Sequence, residues 1–463
     1  MYEADTIVAQ ATPPGKGAVA IVRLSGPQAL AIGYRLWRPL KSHTEPPKPR
    51  RLMLGEIRDP GSGRPLDRAL AIFIPGPRSL TGEDVVELHC HGGPYLVRSV
   101  IGLALAAGAR IAEPGEFSRR AFLNGRLDLA QAEAIADLVE ARSEGALALA
   151  IGQLNGALSA RIDSLRTELI QLRAHLEAEI DFADEEIALP SRREIAGTLE
   201  AVARSAAVLH DSFQRGRIIR EGVRATIVGK PNAGKSSLFN LLLGSERAIV
   251  TAVPGTTRDT LEETLQLGPW TLSLTDTAGV RKARDEVEQL GVERTRSHAS
   301  DAHLLIAVFD TSRPFEREDA EVIDLCQGRR AIATLNKIDL TERLGMADLR
   351  QRGLQIESVR VSARTADGIV ELRDALACAV SEIAEKGPAG EDTAIISRER
   401  HQAALARTLE ALGKARESVF SGMPPEIVAV DVTAATDALS EITGAVNTED
   451  ILDVIFREFC IGK

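Results

Sequence analysis

Residues 229–236 read Gly-Lys-Pro-Asn-Ala-Gly-Lys-Ser, between the apolar run RATIVG and the helical run SSLFNLLLG. Strand, glycine-rich loop and helix in that order form the setting that G-x-x-x-x-G-K-[ST] requires. Glycines let the backbone curl so that its amides face a β-phosphate. The Lys235 ammonium neutralises β/γ-phosphate charge, and the Ser236 hydroxyl reaches Mg2+. Asn232, Ala233, Gly234, Lys235, Ser236 and Ser237 are therefore the expected phosphate-binding residues. The octet commits this part of the chain to a β-strand, loop, α-helix unit.

Three further motifs follow in order. Asp276-Thr277-Ala278-Gly279 closes the strand-like LSLTDTAG, where an acid holds the Mg2+ shell and a glycine amide meets the γ-phosphate. Asn336-Lys337-Ile338-Asp339 closes RAIATLN. A carboxylate there accepts the N1 and exocyclic amino hydrogens of guanine, which adenine does not supply. Ser362-Ala363-Arg364 follows the next strand, so that its backbone amides can meet the guanine oxygen. Together the four motifs specify a GTP-hydrolysing module. A second loop, Thr251-Ala252-Val253-Pro254-Gly255-Thr256-Thr257, supplies Thr257 as the switch threonine, its hydroxyl on Mg2+.

One position departs from the Ras-like pattern. The glutamine that orients the attacking water there is replaced by Val280, which cannot hold a water. The acids of Asp285-Glu286-Val287-Glu288 are candidates for that role, with a solvated helix start as the alternative reading. Asn232 exceeds what the loop pattern needs. Its side-chain oxygen, with carbonyls of the second loop, can coordinate a monovalent cation where an arginine finger reaches in other GTPases.

From Val223 onward, β-like and helical runs alternate, which predicts a doubly wound, mainly parallel sheet over residues 222–382. Residues 1–120 read as mixed α/β, with strands expected in AVAIVRLSG, ALAIFIPG and DVVELHCHGG. Apolar residues at helical spacing mark LDLAQAEAIADLVEAR and LRTELIQLRAHLEAEI. Helical texture returns from about residue 383, and Pro190 places Ser191 as a helix N-cap. The expected fold class is multidomain α/β plus all-α: residues 1–120, a helical domain of residues 121–221 and 383–463, and the inserted module 222–382.

Composition excludes several alternatives. With 44% hydrophobic and 26% charged residues, the chain of 463 is not mainly disordered. It contains no apolar run of about 18 residues. It opens on acids rather than a signal peptide, so a cytoplasmic protein without membrane contact is expected. Four cysteines make neither a disulfide framework nor a CxxC pair. Charge is uneven: net +5 over residues 1–120, −3 over 222–382 and −12 over the helical remainder. A chain that grips nucleic acid broadly needs a more basic face, whereas the first segment suits a small anionic ligand. His89, Cys90 and His91 read as strand residues rather than a metal site, and Arg119-Arg120 and Arg329-Arg330 as solvated charge.

Asp5 to Gly15 (DTIVAQATPPG), Thr81-Gly-Glu-Asp-Val85, His91-Gly-Gly-Pro94, Pro114-Gly-Glu-Phe117 and Leu127-Asp-Leu-Ala-Gln-Ala-Glu133 resemble the N-terminal half of the TrmE-type (MnmE) tRNA-modification GTPase family. The terminal Cys460-Ile-Gly-Lys463 is similar to that family's C-[ILV]-G-K ending. The resemblance covers essentially the whole chain. It implies an N-terminal folate-binding domain, a split helical domain, and a homodimer joined through the N-terminal domains. It further implies a heterotetramer or larger complex with the flavoprotein MnmG (GidA), which carries FAD and through which tRNA is engaged. The product is an aminomethyl or carboxymethylaminomethyl group at C5 of the wobble uridine. The one-carbon unit is taken to come from a 5-formyl- or 5,10-methylene-tetrahydrofolate.

Carried over by residue, the resemblance places potassium on Asn232, Thr251, Val253 and Thr256, and Mg2+ on Ser236 and Thr257. It makes Glu288 the catalytic glutamate, acting through a bridging water. Cys460 matches a cysteine important for modification. Folate contacts fall on Arg23, Glu87, Arg126 and Lys463, with arginine at 126 where the family commonly has lysine. The alternative is a ribosome-assembly GTPase of the Era or Der type. Such proteins share the nucleotide motifs but carry a basic RNA-binding domain, which the acidic helices here do not resemble.

Overall fold

The computed structural model describes residues 5–40, 48–181, 190–244, 262–276, 300, 302–384, 394–446, 449–457 and 459–462. The chain divides into two compact units, one of Met1–Val139, Gln153–Val202 and Glu410–Lys463, the other of Glu140–Gly152 and Ala203–Leu409.

The first unit begins with β1 (Ile7–Gln10), β2 (Gly17–Ser25), α1 (Ala29–Leu36), β3 (Trp37–Pro39), β4 (Met53–Arg58), β5 (Pro65–Ile74), β6 (Val85–Gly92), α2 (Pro94–Ala106), β7 (Arg110–Ile111) and α3 (Glu116–Leu123). Its seven-stranded sheet has the order β3-β4-β5-β6-β2-β1-β7. Only β1 and β7 pair in parallel; the other neighbours are antiparallel. Period-two patterning sets the faces: in β6, Val86, Leu88 and Cys90 are buried, while Glu87, His89 and His91 lie on the other side. Helices α1 and α2 cover the apolar face with Ile32, Leu36, Val97 and Val100.

Arg120 corrects one expectation. It is fully buried rather than solvated, with Nη2 2.5 Å from Asp5 Oδ1 and 2.9 Å from Glu116 Oε1, and Nη1 3.1 Å from Glu83 Oε2. A guanidinium with five donors is stable there because acids from separate segments converge on it.

Next in the chain come α4 (Leu129–Glu140), α5 (Glu144–Leu154), α6 (Ala157–Asp181), α7 (Arg192–Asp211) and α8 (Phe213–Glu221), of which α8, most of α5 and the second half of α7 count with the second unit. Helix α6 buries Leu158, Ile162, Leu165, Leu169, Leu172 and Leu176, an i, i+4, i+7 stripe. It packs that stripe on α14 (Pro425–Thr443). Ser191 caps α7 as expected: its Oγ accepts the Glu194 amide at 3.3 Å, while its own amide donates to Glu194 Oε2 at 2.7 Å. Helix α15 (Glu449–Arg457) packs on α3.

The second unit holds β8 (Val223–Val228), α9 (Lys235–Gly244), β9 (Glu262–Leu267), β10 (Trp270–Asp276), β11 (Leu304–Asp310), α10 (Arg317–Cys326), β12 (Ala331–Asn336), α11 (Met346–Gln351), β13 (Glu357–Arg360) and α12 (Ile369–Ala384). Helix α13 (Glu399–Phe420) contributes residues up to Leu409 to this unit and those from Glu410 to the first. The sheet order is β13-β12-β11-β8-β10-β9, parallel except for β9 on β10. This is the doubly wound sheet that the sequence predicts. All seven residues of β11 are buried: Leu304, Ile306 and Val308 join one core, Leu305, Ala307 and Phe309 the other, as a strand covered on both faces must. The antiparallel edge strand β9 was not expected, although Thr264-Leu265-Gln266-Leu267 alternates before a Gly-Pro turn. No helix among the described residues is long and apolar enough to cross a membrane.

Candidate nucleotide-binding site

Doubly wound sheets bind ligands outside the carboxyl ends of their strands, where successive connections diverge. Here β8 lies between β10 and β11, and the glycine-rich loop leaves its carboxyl end. Gly234 has φ +101°, and a Cβ there would collide with the Asn336 amide. Asn232 is also left-handed, at φ +60°, a conformation that asparagine tolerates better than most residues. Helix α9 opens at Lys235, whose Nζ donates to the carbonyls of Gly229 at 2.8 Å and Lys230 at 2.9 Å.

The guanine motifs meet this loop directly. Buried Asn336 donates from Nδ2 to the Ala233 carbonyl at 2.8 Å, and its Oδ1 accepts the Ala363 amide at 3.0 Å. Lys337 Nζ donates to the Asn232 carbonyl at 2.8 Å and to Asp310 Oδ2 at 2.6 Å. Ser362 Oγ donates to Asp339 Oδ1 at 2.7 Å, which orients the carboxylate expected to read the base. The Ser362 and Ala363 amides donate within the protein, to Asp367 O and Asn336 Oδ1. A base oxygen at Ala363 would share that donor with Asn336.

Asp310 escaped the sequence reading. Burial pushes its carboxyl pKa up, but Lys337 and the Ser312 hydroxyl and amide outweigh burial and hold it below the usual aspartate range. Its only sequence signal is an acid closing a wholly apolar strand.

Asp276 ends β10 in register with Ile227 of β8, which sets its backbone beside the loop. The second loop (251–257), Thr277, Ala278, Gly279, Glu288 and Lys463 lie outside the described residues.

In the first unit, β2 and β6 pair Arg23 with Glu87. Arg23 Nε donates to Glu87 Oε1 at 2.8 Å, Nη1 donates to the Gly462 carbonyl at 3.4 Å, and the guanidinium carbon sits 5.6 Å from the Phe117 ring centre. His89 Nε2 lies 3.3 Å from Glu87 Oε2. The C-terminal tail is fastened here: Ile461 bridges Pro114, and the Gly115 amide donates to the Cys460 carbonyl at 3.4 Å. Thus the structure brings Arg23, Glu87 and the Cys460–Gly462 tail together. Cys460 is exposed, as is Arg126, whose side chain lies beside Gly82. His91 pairs with Asp67 at 2.8 Å, while burial, with Asp67 adding, pushes the Cys90 thiol up to about 11. The described residues hold no group of three His, Cys, Asp or Glu arranged for a metal.

Known proteins extend these observations. A family model for the MnmE helical domain matches residues 129–460, and one for the GTP-binding protein TrmE N-terminus matches residues 6–126. The tRNA modification GTPase MnmE of Natranaerobius thermophilus is 41% identical over 461 residues, covering 99% of each chain. The protein of the same name from Heliobacterium modesticaldum is 44% identical over 470 residues, again covering 99% of each. Among solved structures, Aquifex aeolicus Era bound to GDP and AlF4− is 22% identical, covers 42% of this chain and 66% of its own, and has a TM-score of 0.28. The likeness to the two relatives runs the length of both chains, and with it the chain belongs to the MnmE (TrmE) family of tRNA modification GTPases and is a GTP hydrolase.

Proposed function

We propose that this chain hydrolyses GTP in a potassium-activated, Mg2+-dependent cycle. With MnmG it adds an aminomethyl or carboxymethylaminomethyl group at C5 of the wobble uridine of certain tRNAs. In this reading residues 1–120 bind a tetrahydrofolate and join two copies in the cytoplasm. Residues 121–221 with 383–463 form the helical domain, and residues 222–382 are the G domain, whose pairing with a second G domain powers rearrangement of the complex. In the same reading the G domain supplies no carbon chemistry of its own, and the FAD is carried by MnmG. The observation that carries the nucleotide half is the brace from Asn336 to both the phosphate loop and Ala363. It holds phosphate and base motifs in one frame.

Asn232 and Ser236 are exposed at the loop and offer oxygen donors of the hard kind that K+ and Mg2+ take. Mg2+ would be held by Ser236 and Thr257, potassium by Asn232, Thr251, Val253 and Thr256. The metal charge supplied there neutralises phosphate oxygens as GTP is cleaved. Glu288 would orient the attacking water in place of the glutamine that Val280 replaces. In the first unit, the Arg23 guanidinium suits folate carboxylates and Glu87 suits pterin donors, with Arg126 and Lys463 adding charge. The Era- or Der-type alternative has no observation in its favour, since both ends of the chain match TrmE-family models.

The test is GTP turnover in saturating Mg2+ with KCl against NaCl at equal ionic strength, for wild type and Asn232→Ala. A potassium-specific rise that the variant loses is expected. Equal rates in both salts would discard the cation mechanism.

A further inference from the structure

Lys230 is the second residue of the phosphate loop, where a lysine reads as solvated charge. It is instead buried, with a side chain only 3% exposed. Its ammonium lies 2.8 Å from Asp319 Oδ2 and 3.0 Å from Glu316 Oε2. Both acids belong to the start of α10. Glu316 is the N-cap, and the Asp319 carboxylate accepts the Glu316 amide at 2.9 Å in a reciprocal capping box. Asp319 is wholly buried, and its Oδ1 has no hydrogen-bond partner among the described residues. Burial works against the Lys230 charge, but the two acids outweigh it and raise its pKa above the usual lysine value. The loop is therefore ionically pinned to α10 at neutral pH.

The main chain of the same residue faces the chemistry. The Lys230 carbonyl accepts Lys235 Nζ at 2.9 Å and the Ala233 amide at 3.3 Å. An ammonium has three donors, so bonds to the Gly229 and Lys230 carbonyls constrain where Lys235 points. That lysine must reach the β/γ-phosphates, and a shift in the Lys230 carbonyl turns it.

We propose that Lys230 is a positioning residue: its side chain, ion-paired to Asp319 and Glu316, fixes the carbonyl cradle that aims Lys235 at the phosphates. This inference rests on the GTPase reading above. It makes the capping turn of α10 a structural support of the phosphate site.

The test compares the full-length wild type with Lys230→Met and with Lys230→Met/Asp319→Asn. The single variant strands a buried carboxylate; the double removes that charge while keeping an acceptor for the Glu316 amide. Steady-state GTP turnover is measured with K+ and Mg2+, well below the thermal midpoint of each protein. Both variants are expected to lose kcat by about tenfold or more, with KM moving by less than about threefold, as misdirection of a transition-state contact requires. A wild-type kcat in either folded variant would overturn the inference and leave the pair a purely structural one. A wild type that does not turn over GTP would instead overturn the GTPase reading.

Discussion

Asn336 and Ala233 stand 103 positions apart, yet the Asn336 amide donates to the Ala233 carbonyl at 2.8 Å. Because the same side chain accepts the Ala363 amide, one buried residue ties the loop of residues 229–236 to the one holding Ser362 and Ala363, the proposed phosphate and base motifs. While it is in place, these two hydrogen bonds couple the positions of the two loops.

Asn336→Ala therefore leaves a buried carbonyl and amide without their partner. Each such loss costs about 1–3 kcal/mol, and about 1.4 kcal/mol is tenfold in affinity. GDP binding is expected to weaken by at least about tenfold, measured by titration with a fluorescent GDP analogue. Unchanged affinity in a folded variant would mean that the two loops hold their geometry without the brace.

Asp339 is the residue proposed to carry base identity. A carboxylate accepts the two guanine N–H groups, and Ser362 Oγ at 2.7 Å fixes its plane. In Asp339→Asn the charge is gone, and one acceptor becomes a donor. GTP affinity is expected to fall by about 10- to 100-fold, the worth of a charged hydrogen bond of about 1.5–3 kcal/mol. Xanthosine triphosphate, with an oxygen where guanine has its amino group, is expected to gain. Competition between the two nucleotides reads the switch, and a parallel loss of both would place Asp339 away from the base.

Where spacing fixes a motif's place on the sheet, the sequence was sufficient to read that place. Gly229 to Ser236, Asn336 to Asp339 and Ser362 to Ala363 must sit at strand ends, and β8, β12 and β13 put them there. Residues whose role depends on a distant partner left no local mark. Arg120 looked like surface charge until Asp5, Glu83 and Glu116 converged on it. Lys230 carries no local mark of its role either, because Asp319 reaches it from 89 positions away. The tail was recognisable by resemblance, but its bridge from Ile461 to Pro114 pairs segments at opposite ends of the chain, which no local periodicity encodes. The edge strand β9 was missed for another reason, its alternation being short and followed by Gly-Pro.

The Arg120 cluster makes the first unit sensitive to acid. For both Glu116 and Asp5, burial raises the carboxyl pKa, but bonds to Arg110 and Arg120 outweigh it and leave both below their ordinary values. A carboxylate depressed in the folded state contributes stability above its unfolded pKa and loses it as pH falls through the folded value. The unfolding midpoint in urea is thus expected to hold above about pH 5 and to fall below about pH 4. Trp37 is buried in this unit, so a Trp270→Phe background makes its fluorescence a local reporter. Arg120→Met in that background is expected to cost about 3–5 kcal/mol and to flatten the acid slope. An unchanged slope would assign the acid sensitivity to other groups.

Gly462 tests whether the docked tail belongs to the proposed folate site. Its φ is +100°, and an added Cβ would collide with the Gln10 carbonyl, so alanine cannot sit where glycine does. Displacing it withdraws the carbonyl that meets Arg23 at 3.4 Å, leaving Arg23 and Glu87 as a bare pair. Gly462→Ala is expected to weaken binding of 5-formyltetrahydrofolate by about tenfold, the effect of losing a charged contact, in calorimetric titration. GTP turnover is expected to stay within about twofold of wild type, because the proposed nucleotide-binding residues all belong to the second unit and Gly462 to the first. Folate affinity that survives the substitution would remove the tail from the site.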